Sequence, residues 1–301
     1  MIRTSQIYAT PLRPKLARLT SLLCVFALMT SSVTLGMAQA ATEETEIIRF
    51  GVRHDAAPLS FMKDGKWVGY SVNLCSLILD AYRKELPDGA SVEAEFVRVT
   101  ASNRFEFLKR GDVDALCEAT TVTISRMKSH HFSLLTFVSG AGGIKKKETS
   151  VRALKGKSTR ARGIKVSVVD GTTTKEQVEK LLGYAVVFPS KPVPSHDVAF
   201  DLLRNGDVEL YVGDRIILRE KLLNQNDRDD YDLSAGFLSY EPYAIAIRHG
   251  REDLLQVANA TLARLYRDGD EGIKPIYKLW FKDSKMSKLL WSMYQLQKLP
   301  E

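Results

Sequence analysis

The chain has 301 residues, 45% of them hydrophobic and 26% charged, an ordinary globular composition with length enough for one or two domains that bury real cores. Its formal net charge is +7, but the first forty residues contribute four cations and no anions; without them 39 Lys and Arg face 36 Asp and Glu, a net of +3. A nearly neutral chain of this kind argues against nucleic acid as a partner.

The first forty residues read as a secretory signal peptide: Arg3, Arg13, Lys15 and Arg18 carry all the charge, Leu19 to Leu35 is largely apolar, and Ala38-Gln39-Ala40 offers small residues for cleavage. Thr and Ser interrupt the apolar run, which disfavours an uncleaved anchor, and Cys24 follows Ser-Leu-Leu, which disfavours a lipid-anchored cysteine. No later stretch is long and apolar enough to cross a bilayer. The mature chain is therefore expected to be exported to an oxidising compartment, where Cys75 and Cys117 are free either to pair or to stay as two buried thiols.

From Glu46 strands and helices alternate. IIRFGV (47–52) reads as a strand, a helix begins at about Ser71, SVEAEFVRV (91–99) is strand-like, NRFEFLKRG (103–111) is a helix stopped by Gly111, and DVDALC (112–117) is a strand. A second set follows: the strand IKVSVV (164–169), the loop DGTTT (170–174), the helix KEQVEKLL (175–182) with a capping box from Thr173 and Glu176, the strand YAVVF (184–188), the helix HDVAFDLLRNG (196–206) and the strand DVELYV (207–212). The plan is α/β. LKRGDVDAL (108–116) echoes LRNGDVELY (203–211), Gly111 over Gly206 and Asp112 over Asp207, as two similar lobes would. In that register Ala119 matches Asp214, each just past a strand's carboxyl end, where open α/β sheets collect ligands. The strand in LSYEPYAIAIRHG (238–250) and the helices after it pack back onto the first lobe, so the chain crosses between lobes twice and forms a hinge. The tail from Lys285 is amphipathic enough to dock as a last helix.

The stretches GVRHDAAPLSFMKDGKWVGYSVNLC, VTASNRFEFLKRGDVDALCEATTVTISRM, LKGK with VSVVDGTTT, and DLLRNGDVELYVGDRIIL, in that order between about Ile47 and Phe281, resemble the polar amino-acid family of periplasmic solute-binding proteins (family 3), nearest its glutamate/aspartate branch. The resemblance implies the type II two-lobe periplasmic binding protein fold: residues 41–140 and 239–301 in lobe 1, 141–238 in lobe 2, after a signal peptide at 1–40. It implies a monomer without cofactor or catalysis that delivers a captured amino acid to the membrane permease of an ABC transporter. Mapped onto this chain, the ligand's α-carboxylate falls to Thr121 and Arg126, its ammonium to Asp214, and an acidic side chain to Arg53, Arg104 and His196. The chemistry agrees, because an α-amino acid presents one anion and one cation and needs a forked guanidinium, a carboxylate and hydroxyl or backbone donors. Thr172 and Thr173 open a helix and add N–H donors, and the carbonyl of Ala119 accepts from the ammonium.

The branch usually has hydroxyls where this chain has Ala101 and Ala119, often Gly at Glu118, and commonly an acidic residue at Asn73. Glu118, if it faces the cleft, repels an acidic side chain, and it is also the one feature that keeps a cyclohexadienyl-dehydratase-like enzyme in view, as a general acid. A ligand-sensing accessory subunit is the third reading. No metal is expected: His130 and His131 are adjacent and cannot easily turn both rings to one ion, and no C-x-x-C or H-x-x-x-H accompanies them. The run from Lys145 to Lys165 holds nine Lys and Arg against Glu148 alone and reads as a solvated loop.

Overall fold

The structure, a computed structural model, describes residues 45–149, 163–182, 186–187, 193–282 and 284–300. The signal-peptide segment and most of the basic run lie outside them; within that run, Lys145 is paired with Asp232 at 2.9 Å. Two five-stranded sheets carry the fold. The first has the order β5 (Ser91–Arg98), β1 (Thr45–Val52), β6 (Ala115–Leu116), β13 (Glu241–Ile247), β7 (His131–Ser139). In it β1 runs parallel to β5 and β6, and β13 runs antiparallel to β6 and β7. The second has the order β10 (Val186–Val187), β9 (Ile164–Ser167), β11 (Leu210–Asp214), β8 (Ala141–Lys146), β12 (Tyr231–Leu233), with β9 parallel to β10 and β11 and β8 antiparallel to β11 and β12. A small ribbon of β2 (Asp55–Ala56), β3 (Ser60–Lys63) and β4 (Lys66–Val68) precedes helix α1 (Tyr70–Glu85).

Apolar faces at the helical and strand periods pack cores against both large sheets. In the first, Ile48, Phe50 and Val52 of β1 pack against Val72, Ile78 and Leu79 of α1 and Leu254, Val257 and Ala258 of α7 (Glu252–Arg267). In the second, β11 is buried along its whole length, as a strand covered on both faces must be, and Tyr211 packs with Phe200 and Leu203 of α5 (His196–Asn205).

The echoed junctions share one device: α2 (Arg104–Arg110) and α5 both end on a glycine in the left-handed region, Gly111 at φ 79° and Gly206 at φ 80°, whose N–H groups return to the last turn. The expected capping box is not made. Helix α4 (Thr173–Leu182) begins at Thr173 itself, and that hydroxyl donates instead to Glu241 at 2.7 Å.

The chain passes from β7 to β8 through Gly140 and returns from β12 to β13 through residues 234–240. The two crossings touch: Leu238 N–H donates to the Ala141 carbonyl at 2.7 Å, and a Cβ on Gly140 would lie 1.9 Å from the Ser239 carbonyl oxygen. Only glycine permits that approach.

The tail docks as α9 (Lys288–Leu296) on β7 and α7, burying Leu290, Met293 and Tyr294. Tyr294 and Tyr70 share a hydroxyl contact at 2.7 Å, and Gln297 bonds both backbone groups of Leu135. Cys75 and Cys117 are joined as a disulfide. It ties α1 to the residue before Glu118 and closes a loop with a sequence separation of 42. The double variant Cys75→Ser/Cys117→Ser is expected to lose about 2–4 kcal/mol, chiefly because the unfolded chain regains the freedom of that loop; denaturant melts of the oxidised and reduced parent should bracket the same difference.

Candidate functional site

The carboxyl ends of β6 and β11 face one cavity, and the sequence dictates what they present there. After β6 the chain runs Cys117-Glu118-Ala119-Thr120-Thr121, all buried, with Thr121 bridged to Tyr243 of β13. β11 ends on Asp214, which also caps α6 (Arg215–Leu223): its Oδ1 accepts from Ile216 N–H at 3.1 Å and from Ser139 Oγ at 2.5 Å. Arg53, Arg104, Ala119, Thr121, Thr172, Thr173, His196 and Asp214 line this cavity together with Thr174, Gly213, Ile217, Glu241 and others. About 20 Å³ of it is open to the centre of a water molecule, little more than one water needs, so an occupant of amino-acid size requires the walls to part.

Arg126, on the short helix α3 (Ile124–Met127), is the one expected residue outside the lining. Its Nη1 donates to the Thr121 carbonyl at 2.7 Å and its guanidinium lies 4.5 Å over the Phe105 ring. Burial lowers its pKa, with Glu118 and Glu241 opposing.

The two arginines mapped to an acidic side chain already have acidic neighbours, while Arg53 Nη2 and Arg104 Nε make no hydrogen bond among the described residues. Arg53 Nε donates to Asp55 Oδ1 at 2.9 Å, and its Nη1 lies 3.6 Å from Glu118 Oε2. Arg104 Nε lies 3.3 Å from Glu118 Oε1, and its Nη1 donates to the Ala101 carbonyl. Burial works against the charge of Arg53, but Asp55 and Glu118 more than offset it and raise its pKa. Arg104, with Glu118 as its main counter-charge and with Arg53 and Arg126 nearby, is pushed down by burial to about 10. His196 donates its backbone N–H to Asp55 Oδ2 at 3.0 Å and its ring meets the Tyr211 hydroxyl. Burial lowers the ring to about 3, so it is neutral.

Asp214 shows the opposite effect. Burial first, and the carboxylate of Glu241 second, push it up to about 8. Its Oδ2 is buried and has no hydrogen-bond partner among the described residues. An acceptor left in that state costs about 1–3 kcal/mol until a donor reaches it.

Asp55 and Glu241 were missed in the sequence. Asp55 carried a signal, since residues two apart in extended chain share a face with Arg53. Glu241 carried none: it opens a strand of ordinary composition, yet its carboxylate accepts from Thr121 Oγ1 and Thr173 Oγ1, both at 2.7 Å, and from Gln177 Nε2 at 3.1 Å. Glu118 is enclosed behind Arg53 and Arg104 and is not among the residues that line the cavity, whereas Asp214 and Glu241 are.

Residues 48–283 match the family of bacterial extracellular solute-binding proteins, family 3. The chain belongs to that family. Among its relatives, the ABC transporter glutamine-binding protein GlnH of Bacillus subtilis (strain 168) is 28% identical over 248 residues, covering 81% of this chain and 84% of the relative. The L-glutamate/L-aspartate-binding protein of Pseudomonas aeruginosa is 26% identical over 249 residues, 79% of this chain and 78% of the relative. An ancestral arginine-binding protein bound to arginine superposes with a TM-score of 0.66 at 27% identity, covering 78% of this chain and 98% of that one. The ancestral amino acid-binding protein AncCDT-1, a precursor of cyclohexadienyl dehydratase, superposes at 0.62 with 26% identity over 78% of this chain and 95% of that one. This family-3 solute-binding protein thus has the type II two-lobe architecture of its structural relatives, with the Gly140 and 234–240 crossings between its two sheets. No helix among its described residues is long and apolar enough to cross a membrane.

Proposed function

We propose that the chain is the ligand-capturing component of an amino-acid ABC transporter, exported to the periplasm by cleavage after Ala40, and that its ligand is an α-amino acid with a neutral polar side chain of the glutamine type. The carrying observation is Asp214, a residue of the cavity lining whose Oδ2 is buried and has no hydrogen-bond partner among the described residues. An ammonium is the group that fits it, because it supplies both the missing donor and the charge that makes ionisation of Asp214 favourable.

The amine then sits between Asp214 and the Ala119 carbonyl, and the α-carboxylate meets the backbone N–H groups at the amino end of α4, Thr172 to Thr174, and, once the walls part, the guanidinium of Arg126; the Thr121 and Thr173 hydroxyls serve it by releasing Glu241. The side chain extends toward Arg53, Arg104 and His196. A second carboxylate finds no unspent cation there: Asp55 and Glu118 already neutralise the two arginines, and His196 is uncharged. An amide accepts from a guanidinium without disturbing that balance. This departs from the acidic ligand that the resemblance implied, and the reason is electrostatic. Adding an anion beside Glu118 costs Coulomb energy that no extra cation returns.

Closure of the two lobes on the ligand, by bending at the paired crossings beside Gly140, presents the permease with a form that the free protein populates less. The deciding experiment is a calorimetric and thermal-shift panel of the common amino acids on the mature protein. Glutamine or asparagine is expected to bind at least roughly tenfold more tightly than glutamate, and ligand at a hundredfold excess over Kd should stabilise by about 2.7 kcal/mol. Tighter binding of glutamate or aspartate would restore the acidic reading; no response to any amino acid would remove the whole proposal.

A further inference from the structure

Outside the cavity lining, the first sheet brings His131 against His249 and Glu252, which lie 118 and 121 residues further along the chain. His131 opens β7 and pairs in register with Ile247, the last residue of β13. Two residues later comes His249, and Gly250, at φ 84°, turns the chain so that Glu252 starts α7. His249 Nδ1 lies 3.0 Å from His131 Nε2, and His131 Nε2 lies 3.0 Å from Glu252 Oε1. One ligand atom from each of the three falls within 4.8 Å of the others. The Gly250 N–H donates to Glu252 Oε1 at 3.2 Å and orients that carboxylate.

We propose that His131, His249 and Glu252 form a binding site for a divalent late transition metal such as zinc, separate from the amino-acid cleft. Two imidazoles and one carboxylate are the donor set such ions select. Tetrahedral metal–ligand bonds of about 2.0–2.2 Å place neighbouring ligand atoms roughly 3.3–3.6 Å apart, so the two 3.0 Å contacts need to open by only a few tenths of an ångström to admit an ion. The surroundings do not oppose a cation, since Arg248 and Arg251 are both held by Asp114, at 2.8 Å and 3.3 Å. His131 is partly buried while His249 and Glu252 are exposed, so the ion has a route in and keeps water on its open positions. His130 and His131 part ways: His130 is buried and stacks on Phe105 at 5.4 Å, whereas His131 meets a histidine 118 residues away. Bound metal would cross-link the start of β7 to the start of α7.

The test is isothermal titration of zinc chloride into the mature protein, with nickel and copper chlorides in parallel and circular dichroism of each variant to establish folding. Saturation at one equivalent is expected. His131→Gln and His249→Gln should each weaken zinc by at least about tenfold, the lower end of what even an outer-shell partner costs, and zinc should raise the melting temperature of the parent but not of the double variant. The proposal is overturned if none of the three metals saturates, or if His131→Gln/His249→Gln binds zinc as tightly as the parent. Neither result bears on the amino-acid panel.

Discussion

Asp214→Asn is expected to weaken ligand binding by roughly a hundredfold or more and, in the same molecule, to raise the melting temperature of the unliganded protein at pH 8. Both effects come from one buried carboxyl. Burial and Glu241 hold it at about 8 in the fold against an ordinary 3.8, so between those values the folded chain keeps a proton that the unfolded chain has released. Stability contributed by this group is therefore complete below about pH 4, falls as pH rises, and is fully lost above about pH 8. Asparagine keeps the shape and the acceptor for Ser139 and Ile216 but cannot ionise, so parent and variant should agree at pH 4 and diverge toward pH 8. Binding carries the opposite sign. An ammonium requires the carboxylate, so capture expels a proton below about pH 8, and the parent's affinity should climb with pH up to that point, by at most about tenfold per unit. Loss of one member of a buried charge pair costs about 2–5 kcal/mol, which puts the affinity of the variant down by roughly a hundredfold or more. Calorimetry of both proteins at pH 5, 6.5 and 8 tests this; an unaltered Kd in the variant would take Asp214 out of the site.

The second large effect belongs to Glu118. Its side chain is wholly enclosed, 3.3 Å from Arg104 and 3.6 Å from Arg53. Arg53 keeps Asp55 when Glu118 is neutralised, but Arg104 is left with the Ala101 carbonyl and the Phe105 ring, 4.8 Å away. Removing one partner of a buried ion pair costs about 3–5 kcal/mol because the stranded charge stays out of water. Glu118→Gln is thus expected to destabilise the unliganded protein by about that amount. The same change frees a guanidinium at the side-chain end of the cavity, so the ligand order should invert: glutamate, bringing its own carboxylate, should rescue the variant's melting temperature more than glutamine does. Denaturant melts with and without each amino acid read both outcomes. A stability change below about 1 kcal/mol, or an unchanged ligand order, would mean that the arginines are not neutralised by Glu118 in solution.

These two residues mark the difference between what was legible in the sequence and what was not. Asp214 could be found because its position is local: a strand's carboxyl end followed by a helix start, repeated at the Gly111 and Gly206 junctions. The alternating α/β plan and the loop that opens α4 were legible for the same reason, since periodicity, glycine stops and helix starts are properties of neighbouring residues. Even there, Thr173 gave its hydroxyl to Glu241, 68 residues away, instead of to its own helix.

Read alone, the chain of amino acids determined the alternating α/β plan, the two lobes and which short stretches end at the cleft, but not the strands β7 and β8 or the ribbon β2 to β4. Only the tertiary structure decided the electrical state of that cleft. Whether Arg53 and Arg104 offer charge to a ligand depends on Glu118, 65 and 14 positions away, and the proton on Asp214 depends on burial and on Glu241 from the returning strand. The pairing of Cys75 with Cys117 and of His131 with His249 is of the same kind. Local conformation follows from adjacent residues, whereas desolvation and Coulomb energy depend on distance in space, which the chain sets only once it has folded.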